Sequence, residues 1–307
     1  MSIAVVGALH FDIIAKTSRF PRTDETLIGT DIEYRLGGKG GNQAIAAAML
    51  GSKVAFCGCV GADFYGALLR RELTLAGVNT DMLFQVDGPS GVSTVLVNEE
   101  GDYRSVIISG VNRTITEQLC NVKFASDASV LLLQNEIPET VNQQGLAMAR
   151  EAGVRTILNA APFRSMDSSI LEIVDIIVMN CIEARDFLAL AGAEVGTSDL
   201  AGRLADHDGP DIILTAGIEG VYLCRRGVAH HFPPHRVKVT NSLGAGDAFI
   251  GGLAHGLDQG IEIEEAIDQG QRHAATVISG PAHSGIALFS KHRQIDEGLH
   301  SGEKASV

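Results

Sequence analysis

The chain has 307 residues, 45% of them hydrophobic and 20% charged, with 35 glycines and no tryptophan. That length is sufficient for a large domain burying about 75% of its unfolded surface. The net charge of −13 argues against sequence-independent binding to a nucleic-acid backbone or an anionic membrane, but leaves room for a small phosphorylated ligand at a local site. Five cysteines (Cys57, Cys59, Cys120, Cys181 and Cys224) include no CxxC pair, and several sit in apolar runs, as expected of reduced thiols in a cytoplasm. The N-terminus lacks the basic and apolar regions of a signal peptide, and no apolar run approaches about 18 residues, so a cytoplasmic protein without a membrane span is expected.

Short apolar runs alternate with helical segments along the chain. Strands are expected at Ile3–Val6, Val54–Cys57, Val130–Leu133, Thr156–Leu158, Ile176–Met179, Ile212–Thr215 and Val221–Cys224. Helices are expected at Asn42–Leu50, Tyr65–Ala76, Glu139–Glu151, Glu183–Ala191, Leu200–Asp206, Asp247–Gly256 and Glu264–Ile278. This alternation implies an α/β fold, a three-layer α/β/α sandwich with a mainly parallel central sheet and ligands beyond the carboxyl ends of its strands. Residues 12–36 and 91–109 break the rhythm with period-two stretches such as Ser93–Val97 and Tyr103–Ile108. They are expected to form a small β-sheet lid over a site that must exclude water. No repeat or linker interrupts residues 1–300, which are expected to form a single domain, with residues 301–307 a frayed tail.

Two glycine-rich segments carry chemistry. In Asn241-Ser-Leu-Gly-Ala-Gly-Asp-Ala-Phe249, three small residues lead into an acid at the start of a helix. Amides at a helix N-terminus favour an anion, and an acid in the same turn makes sense if a hydroxyl must lose a proton beside that anion. Gly37-Gly-Lys-Gly-Gly-Asn42 precedes another helix and offers donors from Lys39 and Asn42 where the backbone can approach a ligand closely. Neither segment is a P-loop or a dinucleotide fingerprint.

Together, in this order and some 200 residues apart, the two segments resemble the paired signatures of the ribokinase-like (PfkB) carbohydrate kinases. The resemblance continues through Gly7-Ala-Leu-His-Phe-Asp12, Gln134-Asn-Glu136, Asn159-Ala-Ala-Pro162, Asn180-Cys-Ile-Glu183, Thr215-Ala-Gly217 and Gly220. It spans about residues 3–290, and the Gly-Gly-Lys-Gly-x-Asn-Gln wording is most like that of the members acting on ribose. It implies a cytoplasmic ATP-dependent kinase acting on the 5-hydroxyl of D-ribose, or on a related acceptor such as deoxyribose, a fructose-type sugar or pseudouridine. A catalytically dead sugar-binding protein is the competing reading from another class.

On this resemblance Asp247 is the general base, kept ionised by the helix dipole, and the amides of Gly244, Ala245 and Gly246 hold the transferring phosphoryl group. His10, Asp12, Gly38, Lys39, Asn42, Glu136 and Asp247 surround the sugar. Asn180, Thr215, Gly217, Gly220, Gly246 and Gln271 line the ATP site, and Glu183 acts on Mg²⁺ through water. Two departures stand out. His10 replaces the family's usual Asn, bringing a different shape and a charge that can change with pH. Asn241 replaces an Asp that helps ligate an activating monovalent cation, so it offers K⁺ only a neutral carbonyl oxygen. Homodimerisation through the lid is also implied. His230, His231 and His235 lack metal-helix spacing and are expected on an exposed strand and loop without a ligand.

Overall fold

The computed structural model describes residues 2–100, 102–116, 127–190, 192, 194–240 and 242–280. Cys120, Asn241 and the tail at 301–307 lie outside the described residues. In chain order the strands are β1 (Ile3–Val6), β2 (His10–Lys16), β3 (Asp31–Gly37), β4 (Val54–Gly61), β5 (Asn79–Val86), β6 (Gly91–Val97), β7 (Tyr103–Ile108), β8 (Val130–Gln134), β9 (Arg155–Asn159), β10 (Ile176–Asn180), β11 (Asp211–Thr215), β12 (Val221–Arg225) and β13 (Val228–Phe232). The helices are α1 (Lys39–Met49), α2 (Phe64–Leu75), α3 (Glu139–Ala152), α4 (Ser168–Leu171), α5 (Cys181–Phe187), α6 (Thr197–Ala205), α7 (Ala245–Asp258) and α8 (Ile263–Ser279).

Successive side chains of a strand face opposite sides of its sheet. Ile3 and Val5 therefore join a core with Val54, Phe56, Val130 and Leu132, while Ala4 and Val6 join another with Cys57, Leu131 and Leu133. Helices α1, α2, α7 and α8 pack on the first face, and α3, α4, α5 and α6 on the second. Buried on both faces, these strands read as continuous apolar runs. Among the described residues they form a nine-stranded sheet in the order β13-β12-β11-β10-β9-β8-β1-β4-β5, antiparallel only at β11-β12-β13. The expected mainly parallel three-layer sandwich is present.

A second, four-stranded sheet has the order β3-β2-β6-β7. Its central strand β2 pairs antiparallel with β3 and parallel with β6. This is the small sheet expected from residues 12–36 and 91–109.

The helix expected at Glu183–Ala191 is instead Cys181–Phe187. Capped by Asn180, it starts two residues earlier, and the chain turns out of it through Ala189, which takes a left-handed φ of 54°. Helix α1 starts at Lys39 rather than Asn42. Its glycines are helical because of close packing: a Cβ on Gly40 would lie 2.8 Å from the Gly7 Cα, and one on Gly41 2.5 Å from Leu9 Cδ2. Strand β5 and the short α4 carry too little period to have been expected.

Glycines in helices have opposite meanings in this core. A Cβ on Gly251 of α7 would lie 2.4 Å from the Ala46 Cβ of α1, whereas one on Gly145 of α3 would meet Leu133 and Leu131 at ordinary contact distances of 3.5–3.8 Å. Gly145→Ala should stabilise the protein by about 0.5–1 kcal/mol, and Gly251→Val should destabilise it by about 2–3 kcal/mol. Urea denaturation of both variants measures the contrast; stabilisation by Gly251→Val would contradict the packing described.

Candidate active site

Sequence-singled residues gather at the carboxyl ends of the large sheet's strands. Segment 7–9 leaves β1 and enters β2, whose register sets His10 between Gly37 of β3 and Gly91 of β6, and Asp12 between Arg35 and Ser93. The glycines make room: a Cβ on Gly37 would lie 2.1 Å from Asp12 Oδ1, and one on Gly91 would lie 2.5 Å from His10 Cδ2. Asn112 pins the entry to β2. Its Oδ1 accepts from the Leu9 amide at 3.0 Å, and its Nδ2 donates to the Leu9 carbonyl at 2.7 Å.

Helix α1 opens after Gly38, whose φ of 86° is left-handed and whose Cβ would collide with the Ala8 carbonyl at 2.5 Å. The Lys39 amide donates to Glu136 Oε2 at 2.7 Å, tying the helix start to the segment after β8. One turn on, Asn42 Nδ2 donates to Asp247 Oδ2 at 3.1 Å and Gln43 Nε2 to Asp247 Oδ1 at 3.0 Å. Asp247 lies in the first turn of α7, whose N-cap is Gly244 with a φ of 81°. The Ala245 amide is already used, donating to the Ser242 carbonyl at 3.3 Å. Around Gly246 there is open space on the side a Cβ would occupy. Two buried atoms in this group, His10 Nε2 and Asn42 Oδ1, have no hydrogen-bond partner, so the cleft is prepared for a polar ligand.

The electrostatics are those of three acids sharing a confined space. Asp12 is pushed up to about 7 by burial and by the Asp247 charge, against the pull of Arg35 and a hydrogen bond from Ser93. Glu136 is pushed up to about 7 by burial, against the Lys39 charge and amide, with Asp247 and Asp12 adding to the rise. Asp247 is also raised by burial, opposed by Lys39, Gln43 and Asn42. Desolvation is the largest influence on Asp247 and moves its carboxyl group upward, against the ionised form that the helix N-terminus was expected to favour. His10 is held down at about 4 by burial and by Lys39. It is neutral around pH 7, so the expected pH-dependent charge is absent there.

A second group lies along β10 to β13. Asn180 and Thr215 are register partners at the ends of β10 and β11. Asn180 Oδ1 accepts from the amides of Ile182 (2.8 Å) and Glu183 (3.0 Å), and Glu183 Oε2 accepts from the Asn180 amide at 2.8 Å, forming a capping box at α5. Gly217 and Gly220 are both left-handed, with φ of 57° and 91°. A Cβ on Gly220 would strike the Phe232 carbonyl at 2.2 Å. Gln271 of α8 is turned to the chain beyond β13, its Nε2 donating to the Phe232 (3.4 Å) and Pro233 (3.2 Å) carbonyls. His230 and His231 lie on β13. His231 Nε2 bonds the Glu219 carbonyl at 2.7 Å, and His235 Nε2 bonds Asp268 Oδ1 at 2.7 Å. Among the described residues no group of three or more His, Cys, Asp or Glu side chains is placed to hold a metal ion.

Sequence reasoning did not single out Gln43, Gln134, Ser93, Arg35 or Asn112 as site residues. Gln43 and Gln134 stand inside motif strings already quoted, Gln43 immediately beside Asn42 and Gln134 two residues before Glu136. Asn112 sits in an unpatterned 3₁₀ turn, Gly110–Thr114, and carries no local signal.

The profile of the pfkB family carbohydrate kinases matches residues 1–285. A ribokinase of Haemophilus influenzae is 30% identical over 285 residues, covering 91% of this chain and 92% of the relative. A deoxyribokinase of Salmonella typhi is 32% identical over 310 residues, covering 97% and 100%. The crystal structure of ribokinase from Thermotoga maritima superposes with a TM-score of 0.83 at 29% identity, covering 94% of this chain and 96% of that one. Fold and matches together define a class of enzyme that moves a phosphoryl group from ATP to a sugar hydroxyl. The chain belongs to the pfkB family of carbohydrate kinases and is an ATP-dependent carbohydrate kinase. Among the described residues, no helix is long and apolar enough to cross a membrane.

The raised acids give a testable pH dependence. Asp12 titrates near 7 in the folded protein against its ordinary 3.8. Between those values the folded state binds more protons than the unfolded one, so stability falls as pH rises through that window. Asp12→Asn should therefore raise the stability of the ligand-free protein by about 1–3 kcal/mol at pH 8, the gain disappearing towards pH 4. Chemical denaturation at the two pH values measures this; a gain larger at pH 4 would reverse the assignment.

Proposed function

We infer that this kinase phosphorylates the 5-hydroxyl of a pentose, D-ribose first, in the cytoplasm. The observation carrying this reading is the convergence of Asp12, Asn42, Glu136 and Asp247, from four separate segments, on one cleft beside the N-terminus of α7. Asp12 accepts hydrogen bonds from neighbouring sugar hydroxyls, with Gly38, Lys39, Asn42 and Glu136 around it. His10, neutral with Nε2 unpartnered, adds one hydrogen bond to a hydroxyl. Asp247 takes the proton from the primary hydroxyl as its oxygen attacks the terminal phosphorus of ATP, and its raised pKa suits a base that must hold that proton. Gly244 and Gly246, with Ala245 once its turn opens, present amides to the spreading negative charge.

Asn180, Thr215, Gly217, Gly220 and Gln271 border the nucleotide. Mg²⁺ neutralises phosphate charge when bound; this ion usually keeps several waters and seldom needs an all-protein cage. Glu183, beside the Asn180 cap, fits that mode of holding it. K⁺ at Asn241 remains part of the reading.

The matched relatives include both a ribokinase and a deoxyribokinase, and His10 stands at the departure that bears on this choice. ATP-dependent ADP release across D-ribose, 2-deoxyribose, fructose, pseudouridine and adenosine, with and without K⁺, separates the acceptors. D-ribose should give the highest kcat/KM; a higher value for 2-deoxyribose moves the assignment to that sugar. Asp247→Asn should lower kcat at least 10²–10⁴-fold, approximately the contribution of a positioned base, with sugar binding retained. Sugar and ATP binding without turnover in the unmodified protein would favour the sugar-binding reading.

The small sheet acts as the lid, and a second copy covers it. Edge strand β7 leaves Val106, Ile107 and Ile108 exposed, and β3 leaves Ile32 and Tyr34 exposed; an apolar sheet edge of this kind invites a partner. Light scattering should give about twice the 32.4 kDa of one chain; the mass of a single chain would refute dimerisation.

A further inference from the structure

Behind Asp247 runs a chain of buried amides that the proposed reaction does not use. Gln43 and Gln134 are both completely buried. Gln43 Nε2 donates to Asp247 Oδ1 at 3.0 Å, and Gln134 Nε2 donates to Gln43 Oε1 at 2.9 Å. Gln134 is the last residue of β8, where Asn142 Nδ2 holds its backbone carbonyl at 3.0 Å. Its own Oε1 is buried without a partner. That oxygen lies against Gly7 and Gly40: a Cβ on either glycine would stand 2.1 Å or 2.9 Å from it. The unpaired end is therefore accommodated where two residues lack side chains.

Direction is the informative property of this chain. An amide has a donor end and an acceptor end. If Gln43 were reversed, its oxygen would face the Asp247 carboxylate and its NH₂ would face the Gln134 NH₂. The carboxylate at one end and the Gln134 donor at the other together set the polarity of Gln43, whose Nε2 donates to Asp247 Oδ1. A donor to a carboxylate favours its charged form, and in a desolvated place that help is large relative to the same bond in water. Lys39 and Asn42 act in the same sense on Asp247. Both, however, belong to the residues proposed to surround the sugar, so their contacts are shared with the ligand. Gln43 has no such second duty.

We propose that Gln43, oriented by Gln134, is a positioning residue that holds the Asp247 carboxylate ionised and aimed into the cleft. The inference rests on the reading of Asp247 as the base. It acts on protonation and orientation, with neither amide touching the substrate.

The test compares the pH dependence of kcat in the full chain, with saturating sugar and Mg²⁺-ATP, for the unmodified protein, Gln43→Met, Gln134→Met and the double variant. Methionine keeps the volume of glutamine but supplies no donor. In Gln43→Met the acid limb of the profile should move up by roughly half a pH unit or more, with the loss of kcat larger at pH 6 than at pH 9. Gln134→Met should move it in the same direction by less. The double variant should move it no further than Gln43→Met, because Gln134 acts only through Gln43. An unmoved limb in a cooperatively melting Gln43→Met protein overturns the proposal, as does an additive shift in the double variant. Should Gln43→Met fail to fold, an unmoved limb in Gln134→Met overturns it alone. Asp247→Asn measured in parallel separates the two readings: retained turnover removes the base assignment itself, whereas lost turnover with unmoved limbs removes only the relay.

Discussion

The site depends on how closely α7 can approach α1. Gly251 of α7 meets Ala46 and Ala47 of α1 with no space for a Cβ, and Gly252 meets Gly270 of α8 in the same way. Side chains at these positions would push α7 away and carry its first turn with it. At the distance the glycines permit, Asp247 comes within hydrogen-bond reach of Asn42 and Gln43, more than two hundred residues earlier in the chain. Those bonds in turn fix the orientation of the carboxylate relative to the open side of Gly246. Interiors packed to crystal-like density transmit such constraints with little slack.

The approach has an electrostatic consequence. Asp247, Glu136 and Asp12 are brought into one confined space, each raising the others or raised by burial, with Lys39 as the cation acting on Asp247 and Glu136 and Arg35 acting on Asp12. A ligand-free cleft of this kind is poorly satisfied: acids are held above their ordinary range while His10 Nε2 and Asn42 Oδ1 lack partners. A ligand rich in hydroxyl groups supplies donors and acceptors together, which is the complement this surface lacks. The same arrangement explains why a histidine in the cleft stays neutral, since a protonated ring would face both burial and Lys39.

The cleft is also divided between two sheets. His10 and Asp12 stand on β2 of the small sheet, whereas Glu136 follows β8 of the large one and Asp247 opens α7. Asn112 clamps Leu9 at the point where the chain passes from one sheet to the other. Local sequence carried much of this. The apolar runs marked seven of the nine strands of the large sheet, missing the edge strands β5 and β13, because strands buried on both faces are continuously hydrophobic, and the glycine-rich turns marked α1 and α7 because such turns let backbone approach a ligand. It did not carry Asn112, Ser93 or Arg35, whose places come from strand register and loop packing. Nor did it carry the roles of Gln43 and Gln134, which are defined by each other across 91 positions.

By itself, then, the amino-acid sequence determined the α/β alternation, the small second sheet, the two signatures and the family they belong to, since each is written in residues adjacent along the chain. Only the tertiary structure decided the direction in which the acids of the cleft are shifted and the direction of the amide chain behind Asp247. The helix N-terminus argued locally for an ionised Asp247, but burial beside Asn42 and Gln43 of α1 pushes its carboxyl group upward. Burial is a property of what the rest of the chain places around a group, and no window of sequence around residue 247 contains it.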